Sequence, residues 1–339
     1  MDHKQRAVRI GLAVLLCVFA VQAIGFLKKP LTNLVSYPEA ASLLIYLETG
    51  RIVQPTQPAA VTEPTETTEV TQPTQPTQPE QAGVIFSEED AALIQVSNFA
   101  HYAVDIPALL TTRLQWDLTE ELPTVLILHS HATESYTQTA QFSYAPSSAY
   151  RTLDTQYNMV RVGEALKDAL ESRGIGVIHD TTLHDHPSYN DAYINSRAAA
   201  KQWLEQYPSI SLVIDLHRDA AGEAANGQLT TSAVVDGKAS AQLMLVVGSN
   251  AGGRYHPDWE ENMALAAKLH AQLEKRFPGI CRPISFRTER FNQDLSAGAL
   301  LIEVGAAGDT LEEALVAAGA LSEGIADLAF GTITADSTS

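Results

Sequence analysis

The stretch Thr124-Val-Leu-Ile-Leu-His-Ser-His-Ala-Thr-Glu-Ser-Tyr136 decides the fold of this chain. Four consecutive apolar residues, Val125 to Leu128, read as a short buried strand. The chain then switches abruptly to His129, His131, Glu134 and Ser135, so imidazole and carboxylate groups stand at the strand's carboxyl end. In open α/β sheets ligands bind there, because the loops leaving the strands line a crevice. Two further strand-like runs end the same way: Leu212-Val-Ile-Asp-Leu-His-Arg-Asp219 and Ala299-Leu-Leu-Ile-Glu-Val-Gly305. Three strand ends are thus expected to bring His131, Glu134, His217 and Glu303 together.

Between and around these runs lie helical patterns. Met159, Val162, Leu166 and Leu170 recur at helical spacing in the segment Asn158 to Arg173, and Gly174 closes it. The next strand is expected at Ile175 to Ile178, which completes a βαβ unit and implies a largely parallel sheet. A second crossover runs through Ala192 to Gln206 into Leu212 to Leu216. A third runs from Leu243-Met-Leu-Val-Val247 through Met263 to Phe277, and an Ala-rich terminal helix begins near Asp309. Ser87-Glu-Glu-Asp90 reads as a helix start, with a serine cap and acids in the first turn. The expected fold is α/β: a single mostly parallel or mixed sheet with helices on both faces.

The rest of the chain differs in composition. Ile10 to Leu27 contain no charged residue and are flanked by Lys4, Arg6 and Arg9 before and Lys28 and Lys29 after. At about 1.5 Å per residue such a run just crosses a hydrocarbon core of roughly 30 Å. A cleaved signal peptide is the alternative reading. The run is longer than a typical signal core, and Lys28-Lys29-Pro30 stands where a small-residue cleavage site is wanted, so the expectation is an uncleaved anchor. A short N-terminus with a large polar domain behind it places that domain outside the cytoplasm. Gln54 to Gln81 repeat Thr-Gln-Pro and Thr-Glu units with almost nothing to bury, and such a segment cannot offset its ordering entropy. The expected organisation is therefore a transmembrane anchor over 1–30, a membrane-proximal segment and Pro/Thr/Gln-rich linker over 31–83, a catalytic domain over 84–331 and a polar tail over 332–339. The cell membrane, crossed once, is the expected location.

Charge and cysteine usage narrow the chemistry. The net charge of −18 argues against nucleic acid as a partner. The two cysteines, Cys17 in the apolar run and Cys281, provide neither a disulfide framework nor a thiolate cluster for metal. Zinc in an open hydrolytic site is usually held by three His or carboxylate ligands with a water in the fourth position. His131, Glu134 and His217 are the candidate ligands. His129 is the second choice: strand alternation puts it on the side of His131, as a ligand or as a hydrogen-bonding group of the loop. Glu303 interrupts an apolar run where a buried strand would carry another aliphatic side chain. A carboxylate there is costly unless paired or functional. It reads as a general base beside a metal site, or as an ion-pair partner of Arg218 or Arg290.

From about Val84 to its end the chain resembles the stage II sporulation protein P family. The likeness lies in His129-Ser-His-Ala-Thr-Glu-Ser-Tyr136, Arg173-Gly-Ile-Gly-Val-Ile-His-Asp-Thr-Thr-Leu-His-Asp185, Asp215-Leu-His-Arg-Asp219, Phe291-Asn-Gln-Asp-Leu-Ser296 and Leu301-Ile-Glu-Val-Gly305. The family is related to zinc N-acetylmuramoyl-L-alanine amidases. The resemblance implies an amidase-like fold and a Zn2+-dependent, membrane-anchored peptidoglycan hydrolase of sporulation that cleaves the glycan–peptide amide and also, as an endopeptidase, peptide cross-links. It further implies work with other proteins of a sporulation wall-hydrolase complex. By the same resemblance His131 and His217 match zinc histidines and Glu303 the catalytic glutamate. The ligand glutamate, which in ordinary amidases begins the next helix, is transferred to Glu134. Ser130 replaces the threonine of the family's His-Thr-His. The alternative is a noncatalytic wall-binding scaffold that recruits other hydrolases. Intact His131, His217 and Glu303 favour the enzyme, since a pure binding module has no need to assemble them.

Overall fold

A computed structural model describes residues 84–331 except 119–120, 221–222, 225–226 and 229. The expectations for 1–30, for 31–83 and for 332–339 lie outside the described residues. All of the described residues belong to one of two units of the chain, Thr77–Ser339. Among them no helix is long and apolar enough to cross a membrane.

In chain order the elements are α1 (Glu88–Ala92), β1 (Val96–Asn98), α2 (Ile106–Thr111), β2 (Val125–Leu128), α3 (Met159–Glu171), β3 (Val177–His179), α4 (Ala192–Gln206) and β4 (Leu212–Asp219). Two small hairpins follow, β5 (Glu223–Ala224) with β6 (Gly227–Gln228) and β7 (Ala233–Val235) with β8 (Lys238–Ser240). Then come β9 (Leu243–Val247), α5 (Trp259–Arg276), β10 (Ile284–Phe286), β11 (Ala299–Ala306) and α6 (Leu311–Phe330). The main sheet has seven strands in the order β1-β10-β9-β11-β4-β2-β3. Every neighbouring pair is parallel except β9 with β11. The sheet is thus two parallel blocks joined by one antiparallel contact, the mixed case of the expectation.

Both faces of the sheet are covered, which is why its central strands read as unbroken apolar runs. Alternation assigns the faces. Val125, Ile127, Ile214, Leu216 and Ile302 pack with Val162, Leu166 and Leu170 of α3, Leu269 and Leu273 of α5 and Leu321 and Ile325 of α6. Leu126, Leu128, Val213 and Ala299 pack with Ala200 and Trp203 of α4 on the opposite face. The four periodic residues of α3 are all at 0% exposure, each contributing about 1.5–3 kcal/mol of burial. Asn158 caps α3 through Val160 N, and Ser87 and Asp90 form a reciprocal capping box at α1.

Two strands run further than their apolar residues. β4 continues to Asp219 and β11 to Ala306, so His217 and Glu303 stand inside strands rather than in the loops after them, paired directly across the ladder. The ladder continues because the polar side chains find partners under the covering loops: Arg218 donates from Nε to Ser135 O and from Nη2 to Tyr150 O, both at 3.0 Å. Gly305 has φ +69°, and the register shifts between Glu303 and Ala306, so a bulge bends β11 just past the carboxylate. A Cβ at Gly305 would also lie 2.6 Å from Asp309 Oδ2. β1 and β10, three residues each, have no pattern that separates them from loop and were not expected.

Candidate metal and catalytic site

β2, β4 and β11 are parallel neighbours, so their carboxyl ends open on the same edge of the sheet. Residues 213, 215 and 217 of β4 and 299, 301 and 303 of β11 face α4, by the alternation that puts Val213 and Ala299 there. His217 and Glu303 therefore stand side by side on one face, and the loop after β2 brings His131 and Glu134 over them.

Donor atoms of His131, Glu134 and His217 all lie within 4.8 Å of one another. His131 Nδ1 is 3.7 Å from Glu134 Oε1, and His217 Nδ1 is 3.7 Å from Glu134 Oε2. That is too long for a hydrogen bond. It is close to the roughly 3.3–3.4 Å that separates two donors held about 2.0–2.1 Å from one ion in a tetrahedron. The second nitrogen of His217, Nε2, lies 2.7 Å from Asp215 Oδ1. A carboxylate behind a histidine in this manner fixes the ring and directs its other nitrogen outward. Asp215 is held in turn by Ser130 N at 2.7 Å and by Ser130 Oγ at 2.5 Å. The Ser130 hydroxyl thereby locks the end of β2 to β4.

Glu134 is 3% exposed, and Arg151 supports its charge at 2.9 Å, with Arg218 at 3.8 Å. It stands beside the first turn of α3 without belonging to it: its carbonyl accepts from Met159 N at 3.0 Å. The His131 ring is stacked on Tyr189 at 4.5 Å and meets Tyr193 edge-on at 5.5 Å. The Arg151 guanidinium lies over the Tyr189 ring, 4.7 Å from its centroid. Burial and the neighbouring His217 push the His131 pKa down to about 3. Burial is the largest influence on His217 and opposes a charge, but the charge and hydrogen bond of Asp215 together with the Glu134 and Glu303 carboxylates push its pKa up to about 9.

Glu303 makes no ion pair among the described residues, and its Oε2 is closed off from solvent without a hydrogen-bond partner. Burial pushes its pKa up to about 8 against the opposing pull of His217. The ion pair with Arg218 or Arg290 considered from sequence is absent. Arg218 serves two carbonyls and Glu134, and Arg290 pairs with Asp294 at 3.1 Å. The buried Oε2 of Glu303, without a hydrogen-bond partner, thus stands across the ladder from His217 of the three-donor group. The donor set, free of thiolates, fits zinc.

His129 lies apart from this group. Its Nδ1 is 2.9 Å from Leu216 O, and its Nε2 is 2.9 Å from His179 Nε2. β2 ends at Leu128, so strand alternation no longer governs where His129 and His131 point. The carbonyl must accept, so Nδ1–H donates, and burial pushes the pKa of His129 down to about 3. Gly163 of α3 packs on this pair: a Cβ there would come within 2.5 Å of His179 Nε2 and 2.6 Å of His129 Nε2. Only glycine lets α3 approach.

Arg151, Tyr189 and Tyr193 were not singled out from sequence, and Asp215 only as the residue beside which His217 packs. Asp215 was within reach, since positions 215 and 217 of one strand share a face. Tyr193 lies in the first turn of α4 and Tyr189 in the 3-10 turn just before it, and neither position carries a sequence signal for the site. Arg151 carries no local signal.

A family model described as Stage II sporulation protein P (SpoIIP) matches residues 41–326. Stage II sporulation protein P of Bacillus subtilis (strain 168) is 31% identical over 210 residues, covering 59% of this chain and 49% of the relative. The chain thus spans about half the length of the curated relative it matches. Similar solved structures include the CwlD amidase from Clostridioides difficile in complex with the GerS lipoprotein, at 13% identity, covering 60% of this chain and 96% of that one, with a TM-score of 0.37. Another is the N-acetylmuramyl-L-alanine amidase Ami1 from Mycobacterium smegmatis, at 12% identity, covering 62% and 99%, with a TM-score of 0.37. The chain belongs to the stage II sporulation protein P family.

Proposed function

We propose, from this family membership and from the group His131, Glu134, His217 and Glu303, that the chain is a zinc-dependent peptidoglycan hydrolase of sporulation. Its main activity is that of an N-acetylmuramoyl-L-alanine amidase, with endopeptidase cleavage of cross-links as a second. The observation that carries the reading is the unpartnered, buried Oε2 of Glu303 across the ladder from a histidine of the three-donor group.

His131, Glu134 and His217 would hold the ion. When bound, zinc supplies Lewis-acid chemistry, polarising a carbonyl and acidifying water. The chain's own residues do the rest. Asp215 keeps His217 in the tautomer that leaves Nδ1 free, and Arg151 and Arg218 balance the Glu134 carboxylate. Tyr189 and Tyr193 hold the His131 ring between them. Glu303 takes the proton of the attacking water at its carboxylate and returns it to the leaving amine, which otherwise departs as an unstable amide anion.

Full-length protein incubated with purified cell wall should release soluble peptide, lose that activity in chelator and regain it on addition of zinc. Binding to wall without release under any metal condition would instead favour the scaffold reading.

Residues 1–30 are proposed to anchor the protein in the cell membrane with the catalytic domain outside the cytoplasm. A reporter fused after Ser339 should then be exposed externally and sediment with membranes. A soluble mature form lacking Ile10 to Leu27 would turn the anchor into a signal peptide.

A further inference from the structure

A cavity of about 650 Å³ lies next to the candidate metal group, between the start of α4, the loop after β9 and the loop after β10. This is within the range of ligand sites, roughly 300–1,000 Å³. Tyr193 forms part of its wall, and the same ring is 5.5 Å from that of His131 and 6.4 Å from that of His217. One aromatic side chain therefore separates the cavity from the reacting centre. Phe291, 6.1 Å from Tyr193, and the exposed Ile194 add apolar wall.

The charge of the cavity runs against that of the chain. The net charge overall is −18, yet the ionisable residues of the wall are Arg197, Arg254, Arg290 and Glu289. Glu289 is 3.3 Å from Arg287, which balances it. Asp294 is shared by Arg197, bidentate at 2.7 Å, and Arg290 at 3.1 Å, so one carboxylate serves two guanidinium groups. Arg254 is exposed and has no ion pair or hydrogen bond among the described residues. With the ion-pair partners Arg287 and Asp294 counted beside the lining residues, Arg197, Arg254, Arg287 and Arg290 stand against Asp294 and Glu289, an excess of two positive charges.

The wall is also held in place before any ligand arrives. The loop after β9 is tied to the loop after β10 by Gly252 N to Thr288 O at 3.1 Å and Ser249 Oγ to Arg287 O at 2.7 Å. The second loop is tied to α4 by Asn292 Nδ2 to Tyr193 O at 2.8 Å. Phe291 and Asn292 both have positive φ, at 51° and 62°, a backbone shape that persists only where surrounding contacts enforce it.

We infer that this cavity is the subsite for a free carboxylate of the acidic wall peptide, with Arg254 as the group that receives it. The inference rests on the hydrolase reading above for the identity of the peptide. A guanidinium with no protein partner offers a planar fork to a carboxylate, and the adjoining aromatic wall seats the peptide backbone. At about 3.3–3.6 Å of reach per residue, an acidic residue one or two positions from the scissile bond spans the distance past Tyr193.

The test reads binding, so it does not depend on turnover. Full-length protein is titrated calorimetrically with a wall-type tripeptide whose acidic second residue carries either a free carboxylate or the corresponding amide. The free carboxylate should bind the native protein about two- to fivefold more tightly, the range for a partly exposed charge pair. Arg254→Ala should bring the ratio close to one, and Arg254→Lys should restore part of it. Because Arg254 is exposed and unpaired, melting temperatures should be unchanged. Equal binding of the two peptides by native protein, or an unchanged ratio in Arg254→Ala, would overturn the assignment. Release of peptide from wall is measured in parallel. Absence of release with the carboxylate preference intact would sink the hydrolase reading and leave the subsite standing.

Discussion

Replacing Glu303 by Gln is expected to leave fold, wall binding and metal content intact while turnover falls about a hundredfold or more, the range for general acid–base groups. Glutamine keeps the shape of the side chain and removes only the ability to take a proton. The structure explains why the change should be tolerated. Glu303 has no ion-pair partner to abandon among the described residues, so an amide of the same shape leaves no opposite charge stranded. Measuring zinc by atomic emission, melting by circular dichroism and peptide release from wall separates the outcomes. Loss of zinc would make Glu303 a ligand and reopen the position of Glu134. Loss of folding would make it a structural partner, since removing one member of a buried pair leaves the other uncompensated. Unchanged hydrolysis with zinc bound would end the general-base role, and Glu134 would be tested next.

His217→Ala should reduce zinc from close to one per chain to near none after dialysis, and activity with it. His217 supplies one of the three donors grouped among the described residues, and an alanine offers nothing in its place. The substitution also strands Asp215, which is buried and loses its 2.7 Å contact. A drop in stability of about 3–5 kcal/mol is the range for breaking a buried pair, and the two bonds from Ser130 place the expectation at its lower end. His217→Gln separates the two effects, because an amide can still donate to Asp215 while being a poor zinc ligand. Zinc loss with near-native melting in His217→Gln is the expected result. Native zinc content in either variant would remove His217 from the site.

Fold and site were legible from sequence to different extents. The runs Val125–Leu128, Leu212–Leu216, Leu243–Val247 and Leu300–Val304 each correspond to a strand of the main sheet, and the periodic residues of α3 are its buried face. They could be read because a strand covered on both faces is apolar at nearly every position, so that Asp215 and Glu303 stand out as interruptions, and such runs are rare by chance. β1 and β10 could not: three residues are too few to show a period, even though Ile284 and Phe286 of β10 are fully buried. The antiparallel junction of β9 with β11 was equally invisible, since strand direction leaves no mark on apolar content.

The candidate site divides along the same line. That His131, Glu134, His217 and Glu303 stand near one another follows from three polar interruptions at the ends of three apolar runs. How they face one another does not. His129 and His131 are two residues apart, yet one turns to Leu216 O and His179 while the other meets Glu134, because the strand ends between Leu128 and His129 and the loop sets each ring separately. The support of Glu134 by Arg151, and the stacking of Tyr189 on His131, join segments that only packing brings together. The sequence by itself determined the α/β class, the position of the sheet's buried strands and the chemical identity of the groups at their ends, because these depend on which side chains tolerate burial. The order of strands, the direction of each donor atom, and the orphaned oxygen of Glu303 were decided by the tertiary structure alone, because they depend on which distant backbone lies alongside.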